Sequence, residues 1–314
     1  MDVVRYSHSH KDAWDRFVEK SLDRIFLFYR DYMDYHADRF DDHSLLFFEQ
    51  GKLIGLLPAN SRGDTLYSHA GLTYGGFVSG PGMKAEKMGQ IFEDLGKYAE
   101  QHSFNHLIYK AVPCAFRRQP SEEDLYWLLV NKARLISRDL SSSINFTEPY
   151  TPRESKKRAI RKATRFGVEV RQTDDYHTFM GLVALVLDDK YNKKPTHTVA
   201  EIKLLAGRFP DNIKLYGAFS GDEMLAGMVI YEFPNLVHAQ YIVTSENGKS
   251  CRALDFLTHL LITEVYGNQK YYFDFGVSTE QQGQYLNMGL IFQKEGFGAR
   301  GLCYDTYQLN FNFT

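Results

Sequence analysis

Tyr271-Tyr-Phe-Asp-Phe-Gly276-Val-Ser278, followed by Gly289-Leu-Ile-Phe-Gln-Lys294-Glu-Gly296-Phe-Gly298, is the stretch that decides how this chain of 314 residues is built. It reads as a buried strand, an abrupt polar break, a short helix and a glycine-rich turn. Asp274, Ser278 and Lys294 fall at the breaks. Ligands of open α/β sheets bind beyond the ends of strands, so an active site is expected here. Asp274 ends an apolar strand and is expected at the rim of the core, where partial burial raises a carboxylate's pKa and makes it a better proton acceptor. Lys294 follows one helix later and is expected to return to the same rim.

Working upstream, residues 251–266 have the period of a long amphipathic helix and residues 238–244 that of a strand. Residues 213–219 and 224–233 form a hairpin around Ser220-Gly221-Asp222. Helices are expected at 176–187 and 199–206. A basic helix is expected at 153–166, stopped by Gly167 ahead of a strand. The first half has helical character with aromatics throughout 12–39 and a hairpin at 44–58 turning at Gln50-Gly51. A helix at 83–101, a strand at 104–112 and a helix at 122–132 follow. Polar breaks at Ser141-Ser-Ser143 and at Glu148-Pro-Tyr-Thr-Pro152 place a domain boundary near 145, giving domains 1–144 and 145–314. Each half has leading helices, a hairpin, a further strand, a helix and a strand, which suggests a duplicated α/β fold.

Hydrophobic residues at 44% and charged residues at 24% fit a globular protein of one or two domains. The net charge of −2 supplies no global field toward nucleic acid or membrane, so any polyanion contact has to come from a local patch. Cys114, Cys251 and Cys303 are far apart, with neither metal spacing nor a disulfide framework, which points to a reducing compartment. No signal-like N-terminus and no apolar run of about 20 residues stands out, so a cytoplasmic location is expected.

The order of elements in the second half resembles that of the GNAT acyltransferase fold. Arg153-Glu-Ser-Lys-Lys-Arg-Ala-Ile-Arg-Lys-Ala-Thr-Arg-Phe-Gly-Val-Glu-Val170 resembles the helix that opens the second domain of FemABX-type aminoacyltransferases. Phe273-Asp-Phe-Gly276 and Phe292-Gln-Lys-Glu-Gly-Phe-Gly298 are similar to that family's C-terminal signature, and Tyr74-Gly-Gly76 to a recurring first-domain segment. The resemblance implies two tandem GNAT-like domains with mixed central sheets. It also implies an enzyme that transfers acyl or aminoacyl groups to cell-wall precursor peptides or surface polysaccharides. The donor it implies is acyl-CoA or aminoacyl-tRNA, with no metal. The partners it implies are a nucleotide- or lipid-linked glycan or peptide precursor, with tRNA as a further candidate. No long charged heptad insertion supplies the coiled-coil arm of some members.

Within that frame the residues acquire candidate roles. Asp274 could orient an amine nucleophile or take its proton, against the plainer role of capping a turn. Lys294 could hold a phosphate or stabilise charge developing on an acyl carbonyl, against that of a solvated lysine. Lys190, Tyr191, Lys193, Lys194, Pro195 and His197 read as a polar loop for acceptor contacts, with His197 the natural base by intrinsic pKa. Ser245-Glu-Asn-Gly248-Lys-Ser250 stands where GNAT enzymes carry a pyrophosphate loop. Gly248 is in register, and Ser245, Asn247, Lys249 and Ser250 flank it. Lys156, Arg158, Arg161 and Lys162 form a basic patch for a phosphorylated substrate or a solvated face, with Tyr191, Tyr241 and Ser278 as further binding candidates. Asp274-Phe-Gly276 lacks the accompanying motifs of protein kinases, and Gly80-Pro-Gly82-Met-Lys-Ala85 matches a dinucleotide fingerprint only loosely. The expected function is acyl or aminoacyl transfer to an amine of a cell-wall or surface-polysaccharide precursor. The alternatives are acyl-CoA-dependent acetylation of a soluble amino-sugar nucleotide, and a non-catalytic sugar- or nucleotide-binding module on the same scaffold.

Overall fold

A computed structural model describes residues 1–191 and 194–311, with the backbone alone at Lys190 and Tyr191. It divides into two compact units, one of Met1–Leu140, Glu280–Tyr285 and Cys303–Thr314, the other of Ser141–Thr279 and Leu286–Leu302.

The first unit contains β1 (Asp2–Arg5), α1 (Lys11–Lys20), β2 (Leu45–Glu49), β3 (Lys52–Leu57), α2 (Ala85–Gln101), β4 (His106–Lys110), α3 (Glu123–Val130) and the start of β5 (Arg134–Asn145). The β2–β3 hairpin turns through Gln50 and Gly51, both at positive φ. That is the turn geometry whose twist matches antiparallel strands. On α2, Met88, Ile91, Phe92, Leu95 and Ala99 recur at helical spacing, and this face is buried against Leu45, Phe47, Leu57 and Leu107. The helical reading of 12–39 holds for α1 and, after a break, for short helical segments at Phe26–Phe28, Arg30–Met33 and Asp34–His36. Ser21 turns its hydroxyl back onto the Val18 carbonyl and Arg24 takes a positive φ, so the chain leaves the first helix. Phe26, Phe28 and Tyr32 are then buried from these short segments rather than from one continuous helical face.

The second unit contains α4 (Glu154–Arg165), β6 (Glu169–Thr173), α5 (Tyr176–Tyr191), α6 (Val199–Arg208), β7 (Ile213–Ser220), β8 (Glu223–Glu232), β9 (Leu236–Thr244), α7 (Glu246–Cys251), α8 (Ala253–Leu260), β10 (Tyr272–Val277) and α9 (Met288–Glu295). Strands lie in the order β6-β7-β8-β9-β10-β5, the last through residues 141–145. All neighbours are antiparallel except β9 and β10, which run parallel. Helix α8 packs Ala253, Leu257 and Leu261 onto Ala226, Met228, Val237 and Phe273, and α4 lies along α8.

Two local readings change. Ser141-Ser-Ser143, expected as a polar break, runs inside β5 with Ser141 and Ser142 fully buried. Ser141 donates its hydroxyl to the buried Asp274 carboxylate and Ser143 to the Phe273 carbonyl on β10, which accounts for these two polar residues in a strand, whereas the Ser142 hydroxyl is buried with no partner among the described residues. The helix expected over 251–266 is interrupted: Arg252 adopts a left-handed φ of 67° between α7 and α8, and Leu261–Val265 widens into a π-turn.

Candidate active site

Strands β9 and β10 pair over three rungs only, Leu236↔Tyr272, Val237↔Phe273 and His238↔Asp274. Both then bulge at the same level. On β9 the register with β8 jumps between Val229↔Tyr241 and Ile230↔Ala239, so Gln240 is an extra residue. On β10 the register with β5 jumps between Asp274↔Ser143 and Val277↔Ser141, across Phe275 and the left-handed Gly276 (φ 77°). A bulge bends its strand and increases its twist, so two at one level drive the parallel strands apart. The opening is a cavity of about 420 Å³ lined by Ile242, Val243 and Thr244 of β9, Phe275 of β10, Lys249, and Leu290, Gln293 and Lys294 of α9. From Ala239 onward β9 has no strand pairing on its β10 side, which leaves backbone donors and acceptors for a ligand.

At the last paired rung lies a carboxylate–imidazole dyad. Asp274 is 0% exposed, not at the rim as its strand-end position suggested, because β5 covers it from one side and β9 from the other. Its carboxylate accepts hydrogen bonds from Ser141 Oγ at 2.5 Å, His238 Nδ1 at 2.6 Å and the Gly276 N–H at 3.1 Å. A carboxylate only accepts, so the shared proton sits on His238 Nδ1. In the neutral tautomer that carries this proton, Nε2 is the ring's acceptor atom. Gly276 is demanded by its left-handed φ of 77° rather than by space, since a Cβ there would stand 3.4 Å from His238 Cε1, an ordinary contact.

Lys294 reaches the same residue, Gly276, from α9. Its ammonium donates to the carbonyls of Gly276 at 2.8 Å and Val277 at 2.9 Å and to Ser278 Oγ at 2.9 Å, so three protons meet three acceptors. Burial lowers its pKa to about 8, while the charge of Asp274 pushes the other way. Asp274 and Lys294 therefore hold opposite sides of Gly276, one its N–H and the other its carbonyl. Ser278 is buried in this cluster.

The strand-to-helix turn after β9 is tight. Ser245 Oγ accepts from the Gly248 N–H at 3.0 Å and donates to the Leu225 carbonyl at 3.0 Å. A Cβ on Gly248 would fall 2.0 Å from that carbonyl. Lys249 pairs with Glu246, Asn247 donates to Glu223 at 2.8 Å, and Ser250 is exposed. Of this segment, Lys249 shares the cavity of Lys294.

The other expected residues lie elsewhere in the unit. His197 is buried, its Nδ1 2.7 Å from the Tyr241 hydroxyl, and it lines a separate cavity with Met180, Leu185 and Pro195. Burial pushes the Tyr241 pKa up. Lys193 lies outside the described residues, and Lys190 and Tyr191 end α5 with side chains that are not described. Lys156 bridges to Asp255 at 2.5 Å and lies 4.2 Å over the Phe297 ring. Arg158 and Lys162 face a cavity between α4, α8 and α9, whereas Arg161 is exposed and does not line it. The structure thus joins Asp274, Ser278 and Lys294, and adds His238 and Ser141. No motif marks these two: one stands in an apolar strand, the other in a serine run, and only their pairing with β10 gives them partners. Among the described residues no group of His, Cys, Asp or Glu side chains is placed to hold a metal ion.

Comparison with known proteins bears on the fold that carries these residues. Residues 152–285 match the family model described as the acetyltransferase (GNAT) domain. The crystal structure of FemX superposes with a TM-score of 0.69 at 10% identity, covering 99% of this chain and 97% of that one. The structure of L-PGS from Bacillus licheniformis does so with a TM-score of 0.59 at 14% identity, covering 99% and 94%. A tandem GNAT protein from the clavulanic acid biosynthesis pathway gives 0.51 at 10% identity, covering 100% and 99%. No curated protein matches by sequence. At these identities the solved structures establish the fold: the chain has a FemABX-like tandem GNAT architecture, and its second half carries an acyltransferase domain.

Proposed function

We propose that this transferase moves an acyl or aminoacyl group onto an amine of a cell-wall or surface-polysaccharide precursor, at the opening between β9 and β10. The observation that carries the reading is the pair of coincident bulges with the His238–Asp274 dyad on the last rung before them. The donor carbonyl lies along the unpaired edge of β9, whose N–H groups stabilise the oxygen as it becomes negative. The acceptor nitrogen attacks the carbonyl carbon, and the N–C bond forms. His238 takes the amine proton through Nε2, while Asp274 holds the ring and stabilises the imidazolium. The C–S or C–O bond of the donor breaks, and the proton passes to the departing thiolate or alkoxide. Lys294 holds the carbonyls of the β10 end in place beside the reacting groups. Lys249 lies beside the same opening, and of the basic residues on α4 it is Arg158 and Lys162, which line the cavity between α4, α8 and α9, that carry the phosphorylated part of the substrate.

One observation bears on the donor. The Ser245 cap already occupies the Gly248 N–H, an amide that a diphosphate at that turn would use. This favours an aminoacyl ester over acyl-CoA. A thermal-shift screen with acetyl-CoA, aminoacyl-tRNA mimics and UDP-sugars, followed by mass spectrometry of the amine product, tests both. Stabilisation by a sugar nucleotide with no product from any donor would mark a binding module instead.

A further inference from the structure

A second cavity of the same unit, about 600 Å³, lies between α4, α8 and α9. Five cations line it, Arg153, Lys156, Arg158, Lys162 and Arg252, against one carboxylate, Asp255. Lys156 uses that carboxylate at 2.5 Å, and Arg153 is engaged by Glu295 at 3.4 Å. Arg158, Lys162 and Arg252 make no salt bridge among the described residues, and the carboxylate that Arg158 acts on, Glu154, is exposed and outside the cavity. Gathering five cations around one concavity that holds a single carboxylate costs Coulomb energy, which a bound anion recovers.

The backbone supports the same assignment. Arg252 holds a left-handed φ of 67° where glycine is the undemanding residue. Arg252 lines the cavity from the break between α7 and α8. A strained non-glycine position whose side chain enters a cavity is a pointer to a role for that side chain. On the rim, the Phe292 ring is 64% exposed and lies 4.6 Å from the Arg153 guanidinium. A flat ring beside cations accepts a stacked base.

We infer that Arg158, Lys162 and Arg252 form a binding site for the diphosphate of a nucleotide-linked ligand, with Phe292 beneath its base. This rests on the reading of the chain as one that handles a phosphorylated substrate, and it narrows the basic helix to two of its cations while adding Arg252, which no sequence pattern marked. Arg161, on the same helix but outside the cavity, takes no part.

Isothermal titration calorimetry of the full chain with ADP, inorganic pyrophosphate and a short single-stranded RNA tests this without requiring turnover. ADP should bind at a single site, more tightly than pyrophosphate, and weaken as salt is raised. Arg252→Gly suits the left-handed backbone and removes the side chain with its guanidinium, so melting temperature should hold or rise while ADP affinity drops about tenfold or more. Arg158→Ala should do likewise, Phe292→Ala should abolish the preference for ADP over pyrophosphate, and Arg161→Ala should change neither. Equal losses for Arg161→Ala and Arg252→Gly would overturn the site in favour of a diffuse basic face, as would RNA binding that displaces no ADP. Absence of ADP and pyrophosphate binding to the wild-type chain would overturn it outright. Loss of transfer activity in a His238 variant that still binds ADP separates failure of the catalytic reading from failure of this one.

Discussion

The sharpest test of the dyad is Asp274→Asn. The substitution is isosteric, and every contact can survive it. The amide oxygen, placed where Oδ2 is, still accepts from His238 Nδ1 and the Gly276 N–H, and the amide nitrogen then faces Ser141 Oγ, which can turn to accept. Three charge-assisted hydrogen bonds become neutral ones, each losing about half its strength. Relief from burying a charge offsets part of that, so stability should fall by about 1–3 kcal/mol. The chemistry has no such compensation. An amide cannot stabilise an imidazolium as a carboxylate does, and a positioned base is worth about 10²–10⁴ in rate. Turnover should therefore fall about a hundredfold or more in a protein that still unfolds cooperatively in urea. Ser141→Ala is the matched control: it removes one hydrogen bond to the same carboxylate, costs about 1.5–3 kcal/mol, and keeps the dyad, so its turnover should stay within about tenfold of wild type. If folded Asp274→Asn turned over like the wild type, the dyad would be structural and proton removal would have to be sought elsewhere.

Other outcomes follow from the same geometry. Burial holds the Lys294 pKa near about 8, below the 10.5 of an unperturbed lysine. The unfolded chain then binds the extra proton between these values, so stability should rise with pH from about 8 to about 10.5, by at most about 3 kcal/mol. Lys110, lowered to about 8 by burial, contributes in the same direction, so urea midpoints of wild type and Lys294→Met across that window isolate the Lys294 share; parallel curves would refute it. Gly248→Ala would drive a Cβ to 2.0 Å from the Leu225 carbonyl and should cost about 1–3 kcal/mol or more by calorimetry; a neutral result would show that the β9–α7 turn shifts freely. Because Asp274 and Lys294 hold the two peptide groups that flank the Gly276 Cα, the double variant Asp274→Asn/Lys294→Ala should lose less turnover than the product of the single losses, and a purely multiplicative result would mean that the two act independently.

What the chain determines by itself is local. The Gln50-Gly51 turn, the helical spacing along α2, the apolar run ending at Asp274 and the charge density of α4 are readable because each depends on residues a few positions apart. The site is decided between strands. Asp274 becomes the floor of a dyad because parallel pairing sets it opposite His238, 36 residues away, and antiparallel pairing brings Ser141, 133 residues away, to its other oxygen. Two bulges, each one residue or so of extra chain, coincide only once the sheet is assembled, and their coincidence opens the cavity. The serine run reads as a linker until the acceptors of Ser141 and Ser143 on β10 are known, since a buried hydroxyl is satisfied in a strand where a neighbouring strand offers it an acceptor. Arg252 joins the cations of α4 because α8 packs along that helix and a left-handed residue begins α8. Sequence spacing reports which face a residue shares with its neighbours, whereas the partner across the gap is fixed by register and packing, and it is the partner that turns a side chain into a base, a clamp or a site for an anion.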